Sequence, residues 1–169
     1  MNNNLIKKFT SDLERIQNID QQATKDFKAG KISASELTKI NTDNVYFVKK
    51  VIAEIGFPTI HLTSEKAYRA TVLVILHSGD LELLNSSIKT LENDKSGSIK
   101  KRDIAYMIDK ARVTQSMPQL FGTQYKIDKD GNFEFIEIEN PKELEKRRAE
   151  YGMESFVEYK KTVEKSIRK

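Results

Sequence analysis

The sequence has no cysteine and no tryptophan, and it contains only three prolines and seven glycines among its 169 residues. Without cysteine, the chain cannot form disulfides, thiolate metal sites or a cysteine nucleophile. A cysteine-free protein folds equally well inside and outside the cell. The absence therefore excludes three kinds of chemistry and leaves the redox compartment open.

Long hydrophobic runs are also missing. The longest, Val72 to Leu76, is far shorter than the roughly 20 apolar residues that a membrane span needs. The beginning of the chain, Met1 to Asn4, leads into a mixed amphipathic stretch and not into the apolar part of a signal peptide. We therefore expect a cytoplasmic protein without membrane contact, or an exported one if a native signal peptide has been removed.

The charges are nearly balanced, with 29 Lys and Arg against 25 Asp and Glu and a net charge of +4. A basic stretch from Lys95 to Arg112 is offset by an acidic one from Asp128 to Glu139, and basic residues near the end of the chain alternate with glutamates. This pattern is typical of a solvated surface and not of a phosphate-binding track. We expect no nucleic-acid partner.

Four segments carry apolar residues at alternating steps of three and four, which is typical of amphipathic helices. They run over about 4–28, from Ser33 to Ile55, from Ser64 to Leu91, and from Ile104 to near Met117. Ser33 with Glu36 has the pattern of a capping box. In the third segment, Gly79 and Asp80 allow two alternatives, one kinked helix or two abutting helices.

The periodicity changes after Pro118. The stretch from Gln119 to Ile127, followed by Asp130-Gly131 and then Phe133 and Phe135, predicts a β-hairpin with an Asp-Gly turn. Asn140 as N-cap and Pro141 at the first helical position predict another helix, which is followed by a last amphipathic segment. A chain of this length can bury one ordinary core. We therefore predict a mainly α, single-domain helical bundle over residues 1–169, with one small β-hairpin near the C-terminal third.

Polar residues interrupt three of the apolar stripes. Asp20, Asn44 and His77 each occupy a position that the helical period assigns to the buried face. Burying these groups separately would cost several kcal/mol, so we expect them to lie close together and to form hydrogen bonds. Two interpretations remain open, a shared polar pocket and a structural network that fixes the register of the helices.

Two further acidic residues lie three positions from a polar residue that they could contact on a helix. Asp80 lies three residues after His77, which on a continuous helix would bring it within reach of the ring. Asp109 and Arg112 have the same spacing in the fourth segment. Asp109 therefore either belongs to the polar site or forms a surface ion pair with Arg112.

Several of these residues belong to a pattern that resembles a family of bacterial proteins known only as a domain of unknown function, family 6624. The resemblance covers about residues 13 to 159. It rests on Asp20-Gln21, Asn44, Gly56-Phe-Pro-Thr, His77, Asp109, Gln119-Leu-Phe-Gly-Thr-Gln and the segment from Pro141 to Tyr159 with Arg147-Arg148 and Gly152. The sequence departs from the family pattern at Phe57, Leu76, Lys110 and Phe121, and Asp80 is offset by one residue.

The resemblance implies a shared site but no particular chemistry. Combined with the stripe analysis, it predicts a pocket with Asp20, Asn44 and His77 at its floor and Gln119, Thr123 and Gln124 at its rim. Gly122 serves a backbone need, a positive φ or a close approach. The alternative for this motif is a tight entry into the strand, held by capping hydrogen bonds.

The candidate chemistry centres on His77, because an adjacent carboxylate such as Asp20 would orient the ring for general acid-base work. No Gly-x-Ser-x-Gly nucleophile motif is present, and only His61 and His77 offer imidazole ligands, so we expect neither a metal nor a cofactor. Asp20 and His77 are the candidate catalytic residues. The candidate ligand-binding residues are Asn44, Asp80, Asp109, Gln119, Thr123 and Gln124. We predict binding of a small polar ligand; the alternative is a protein-interaction module with a structural polar cluster.

Overall fold

The computed structural model describes residues 3–128 and 132–167, in which seven α-helices and one two-stranded sheet occur. The chain divides into two compact units, the first ending at Ile99 and the second beginning at Lys100. The prediction of a mainly α protein with one small hairpin is confirmed. The assignment of residues 1–169 to a single domain stays a prediction.

The first unit consists of four helices. They are α1 (Asn3–Lys28), α2 (Ala34–Ile55), α3 (Glu65–Ser78) and α4 (Leu81–Glu92). The helices α1, α2 and α3 pack against one another in all three pairs, and α4 contacts α3. Their apolar stripes form the core, with Leu13, Val48, Val51, Ile75 and Leu84 among the residues that are almost completely buried. Removal of this apolar surface from water is the main force that holds the three long helices together.

The helix ends in the first unit follow the local sequence signals. Ser33 and Glu36 form the predicted capping box at the beginning of α2. Gly79 adopts the left-handed conformation with φ 63° and ends α3, and the side chain of Asp80 accepts a hydrogen bond from the Leu83 amide at 2.9 Å. Of the two alternatives for this segment, the structure therefore has two abutting helices.

The second unit contains three helices and the hairpin. Its elements are α5 (Lys101–Thr114), β1 (Tyr125–Ile127), β2 (Phe133–Phe135), a single 3₁₀ turn (Pro141–Glu143), α6 (Leu144–Glu150) and α7 (Phe156–Ile167). The strands β1 and β2 are antiparallel, with Tyr125 opposite Phe135 and Ile127 opposite Phe133. Aromatic rings from both strands and from α7 pack edge to face around Phe135.

Two predicted boundaries in this unit are wrong. Helix α5 ends at Thr114 and not near Met117, because Ser116 has a φ of 59° and the Met117 amide turns back to the Arg112 carbonyl. Residues 119–124 form a loop before β1 and not the first half of the strand. The predicted Asp130-Gly131 turn lies outside the described residues.

The predicted helix start at Asn140 is confirmed in position, but its side chain does not form the capping hydrogen bond. Asn140 has a left-handed backbone with φ 44° and makes no capping hydrogen bond with its side chain, and a 3₁₀ turn over Pro141–Glu143 precedes α6. Proline at the first position of this turn fits, because its fixed φ suits either kind of helix. In the part of the chain that the structure describes, no helix is both long and apolar enough to cross a membrane.

Candidate functional site

Three helices of the first unit bring polar side chains to one crevice. Asp20 on α1, Asn44 on α2 and His77 on α3 all line it. Asp20 is 4% exposed and Asn44 is 6% exposed, so both are buried as the stripe pattern predicted. The expected burial of His77 is wrong: its side chain is 46% exposed, because it lies in the last turn of α3, next to Ser78 at the end of the helix.

The closest polar contact in this cluster joins His77 to Asp20. The Nδ1 atom of the ring lies 3.3 Å from Oδ1 of the carboxylate. With the proton on Nδ1, the ring donates to the buried carboxylate and the lone pair is on Nε2. The arrangement fixes the orientation of an imidazole that is half exposed to water. It has the elements of a general base supported by an acid.

The amide of Asn44 stands beside this pair without a partner. Its Nδ2 atom is buried and has no hydrogen bond to any of the residues described. An unpaired buried donor costs on the order of 1–3 kcal/mol. The crevice has no room for a water molecule. A ligand would therefore meet this cluster at the exposed part of the His77 ring and not in an open pocket.

Asp80 does not serve the His77 ring, contrary to the sequence expectation. One of its oxygens accepts from the Leu83 amide, and the other lies 2.5 Å from Nζ of Lys49 on α2. The hydrogen bond from Lys49, helped by that from Leu83, lowers the pKa of the Asp80 carboxyl, and the same contact raises the pKa of Lys49. The acid on the His77 ring is Asp20, and Asp80 instead caps α4.

In the second unit, Asp109 organises the loop that precedes β1. Its side chain is fully buried, and its two oxygens accept hydrogen bonds from the amides of Leu120, Phe121 and Thr123 and from the Thr123 hydroxyl, at 2.7–3.2 Å. The alternative of a surface ion pair with Arg112 is wrong, because Arg112 contacts the Pro118 carbonyl and Glu139 instead.

The first glutamine of the loop motif binds the backbone of the second, whose own side chain donates to the Thr123 hydroxyl at 3.1 Å. The Gln119 side chain is fully buried, donates to the carbonyls of Gln124 and Ile136 at 2.9 and 2.6 Å, and accepts from the Gln124 amide at 2.8 Å. Gly122 has a φ of 69°, and a Cβ atom there would lie 2.7 Å from the ring of Phe156. Gly122 therefore has both predicted properties, a positive φ and a close approach to another residue. The hydrogen bonds of Gln119 stabilise the conformation of the loop.

The sequence did not predict the role of Arg148, which also binds the backbone of this loop. The Arg148 side chain is 1% exposed and donates to the carbonyls of Phe121 at 2.5 Å and Glu154 at 2.8 Å. Its guanidinium carbon lies 5.0 Å from the ring centre of Tyr159. Burial lowers the pKa of Arg148 and raises the pKa of Tyr159. The only signal in the sequence was the Arg147-Arg148 pair in the family pattern, because an arginine on a short helix is ordinarily assumed to be exposed.

Arg147 also donates hydrogen bonds to backbone carbonyls of this region. Its Nε donates to the Leu120 carbonyl at 2.8 Å, and its Nη2 donates to the Glu139 carbonyl at 2.6 Å. The loop amides thus point to a carboxylate, and two of the loop carbonyls accept from guanidinium groups. Within residues 3–128 and 132–167, no group of three histidine, aspartate or glutamate side chains is arranged to hold a metal ion.

The fold and the two clusters define a mainly α-helical protein, with an Asp–His pair in its first unit and a carboxylate-braced loop in its second. The sequence pattern of the Family of unknown function (DUF6624) matches residues 3–168, and the chain belongs to this family. No curated protein and no solved structure matches the chain.

Proposed function

We propose that the protein binds a small polar ligand at the exposed face of His77 and exchanges a proton with it through the ring. The observation that carries this proposal is the 3.3 Å contact between His77 and Asp20, in which a buried carboxylate meets a half-exposed imidazole. Such a carboxylate orients the ring and stabilises its charged form, which is what a general base needs.

The unpaired amide of Asn44 supports a functional origin for the cluster. A network that only fixes helix register would gain from satisfying every buried donor, because each unsatisfied one costs stability. The Asn44 Nδ2 atom has no partner in the described part of the chain. Nη2 of Arg148 is also unpaired there, but the rest of its guanidinium holds two backbone carbonyls. A feature that lowers stability is more readily explained by function than by folding.

The proposed ligand site is therefore smaller than the sequence predicted. We assign ligand contact to the exposed ring of His77, with the buried side chains of Asp20 and Asn44 behind it. Structural support, and not ligand contact, is the role that we propose for the other predicted binding residues. The side chains of Asp80, Asp109 and Gln119 hold backbone groups, and those of Thr123 and Gln124 bind Asp109 and Thr123.

Side-chain NMR of the two histidines tests this proposal directly. The full chain, labelled with ¹⁵N in its imidazoles, is titrated with a panel of small polar metabolites. We expect saturable shifts of the His77 nitrogens and no shift of the nitrogens of His61, which serves as an internal control. A panel in which no compound moves His77, or in which both histidines move together, would contradict the proposal.

The alternative, a protein-interaction module with a structural polar cluster, makes the opposite prediction for stability. Replacing Asn44 with leucine would then break the network and lower the melting temperature by many degrees. Under our proposal, Asn44→Leu or, if leucine overpacks the crevice, Asn44→Ala leaves the melting temperature unchanged or raises it, and weakens the ligand-dependent shifts of His77.

A further inference from the structure

The hairpin of the second unit leaves one edge of strand β2 without a neighbouring strand. In the part of the chain that the structure describes, the sheet consists of β1 and β2 alone, paired in antiparallel register. Two backbone hydrogen bonds flank the paired residues, one from the Asp128 amide to Asn132 and one from the Ile136 amide to Gln124. Successive residues of such a ladder alternate between its two edges. Glu134 therefore faces β1, and the N–H and C=O groups of Phe133 and Phe135 point away from it.

A groove follows this free edge. Its volume is about 490 Å³, and its lining includes every residue from Phe133 to Ile138 together with residues of α7. Because neighbouring residues of an extended chain point to opposite faces, a groove that touches each of them runs along the edge of the strand. No residue of β1, all of which the structure describes, lines the groove. The groove therefore lies on the side of β2 where the backbone groups of Phe133 and Phe135 are turned outward.

The lining of the groove carries more negative than positive charge. Glu134, Glu137 and Glu164 line it against a single cation, Lys160. Glu134 also has Lys126 at 3.2 Å, but the two side chains are 75% and 70% exposed, so this ion pair is weak. Among the residues described, Glu137 and Glu164 form no ion pair. A basic partner would therefore be attracted to this edge.

Charge also disfavours a second copy of the chain as the occupant. Antiparallel pairing of two β2 strands in register would bring Glu134 of one copy opposite Glu134 of the other, and like charges directly opposite each other destabilise a sheet. The same position favours lysine or arginine in a different partner. Phe133 and Phe135 are partly buried on the other face of the strand, where an added strand would place apolar side chains beside them.

We propose that the outer edge of β2 binds an extended basic segment of another protein, which adds to the sheet as a third strand. Its main-chain groups form hydrogen bonds with those of Phe133 and Phe135, and a lysine or arginine lies opposite Glu134. Antiparallel addition is favoured, because antiparallel pairing is the more stable per residue. This binding is independent of the function proposed for His77, which lies in the first unit.

The probe for the test is a capped, fluorescein-labelled octapeptide in which valine and lysine alternate, and fluorescence anisotropy measures its binding to the full chain at low salt. We expect saturable binding. N-methylation of the valines, whose amides would face β2, weakens binding by about tenfold or more, whereas N-methylation of the lysines, whose amides would face solvent, changes it by less than about threefold. Exchange of every lysine for glutamate abolishes binding.

Amide hydrogen exchange, followed by NMR, locates the bound peptide. We expect the peptide to protect the amides of Phe133 and Phe135 and to leave that of Glu134, which already faces β1, unchanged. Glu137→Lys weakens binding by about fivefold or more. The matched control is Glu158→Lys, because Glu158 is an exposed glutamate of α7 outside the lining of the groove, and it should change binding by less than about twofold.

Several results would overturn the proposal. They are no saturable binding at millimolar peptide, equal binding of the valine-methylated and unmodified peptides, equal effects of Glu137→Lys and Glu158→Lys, and binding without protection of Phe133 and Phe135. Protection of these two amides that rises with protein concentration in the absence of peptide would assign the edge to a second copy of the chain, and it would also overturn the proposal.

Discussion

The polar clusters of the two units both contain buried side chains, but these side chains bind different groups. Asp20 and Asn44 interrupt apolar helical stripes in the first unit, whereas Asp109 in the second was marked by its spacing from Arg112 and by the family pattern, and all three are buried. Each oxygen of Asp109 accepts backbone or hydroxyl hydrogen bonds, whereas Nδ2 of Asn44 has no partner among the residues described. Nη2 of Arg148 is also unpaired among the residues described, but its guanidinium holds two backbone carbonyls. Burial of a polar residue does not by itself distinguish a brace from a site; the backbone groups that its side chain holds do.

This difference has an energetic meaning. A buried carboxylate with several N–H donors stabilises the fold, because removing it leaves those donors unpaired. A buried amide donor without a partner lowers stability and is removed without loss. The second unit should therefore be sensitive to changes in its polar cluster, and the first unit tolerant of them.

The largest effect is expected for Asp109→Asn. The amide nitrogen would face donors at a position where the carboxylate now accepts hydrogen bonds from Leu120, Phe121 and Thr123. We expect a loss of at least about 3 kcal/mol and a fall in the melting temperature on the order of 10 °C. Thermal unfolding followed by circular dichroism measures this. A melting temperature within a degree of wild type would contradict a stabilising role for the Asp109 carboxylate.

A smaller loss is expected for Arg148→Lys. A single ammonium group cannot reach both the Phe121 and the Glu154 carbonyls, which the guanidinium now joins. We expect a loss of about 2 kcal/mol, or roughly 4–8 °C in the melting temperature. The matched control is Arg147→Lys, which should cost less because Arg147 is partly exposed. Equal effects of the two changes would contradict a special role for the buried guanidinium.

The smallest effect is expected for Asp80→Asn, which keeps an N-cap side chain but loses the ion pair with Lys49. Because the pair is partly exposed, we expect less than about 1 kcal/mol at neutral pH. The pKa of Asp80 is lowered in the folded state. Its contribution is therefore complete above its ordinary value near 3.8 and is lost as the pH falls through the lower folded value.

Chemical unfolding at several pH values checks this sign. The difference between wild type and Asp80→Asn should be constant near neutral pH and vanish in strongly acidic solution. The control Asp80→Ala also removes the cap, so a further loss of about 1 kcal/mol should remain at all pH values. A difference between wild type and Asp80→Asn that grows in acid would contradict the assignment.

The sequence was sufficient for the helical segments of the first unit because their signals are local, although it left open whether the third segment is one kinked helix or two. The capping box at Ser33, the left-handed Gly79 and the apolar stripes each depend on residues within a turn or two. The burial of Asp20 and Asn44 also followed from periodicity. The exposure of His77 did not follow from periodicity, because the ring reaches solvent through its position near the end of α3.

The second unit was harder to predict because its determinants are distant in sequence. The loop before β1 is held by Asp109 on α5 and by Arg148 on α6, which lies 27 residues after the carbonyl it contacts. Periodicity assigned residues 119–124 to a strand, since a loop braced by side chains from elsewhere has no local pattern. The family resemblance marked the motif but not its structural role.

The most direct test of the central claim compares one type of substitution in the two clusters. Asn44→Leu and Gln119→Leu each replace a buried amide with an apolar side chain, and Asn44→Ala controls for overpacking of the crevice. We predict that at least one Asn44 variant melts at or above the wild-type temperature, while Gln119→Leu, which loses three hydrogen bonds to backbone, melts several degrees lower. A large fall in both Asn44 variants, equal to that of Gln119→Leu, would show that both clusters are structural and would contradict the account.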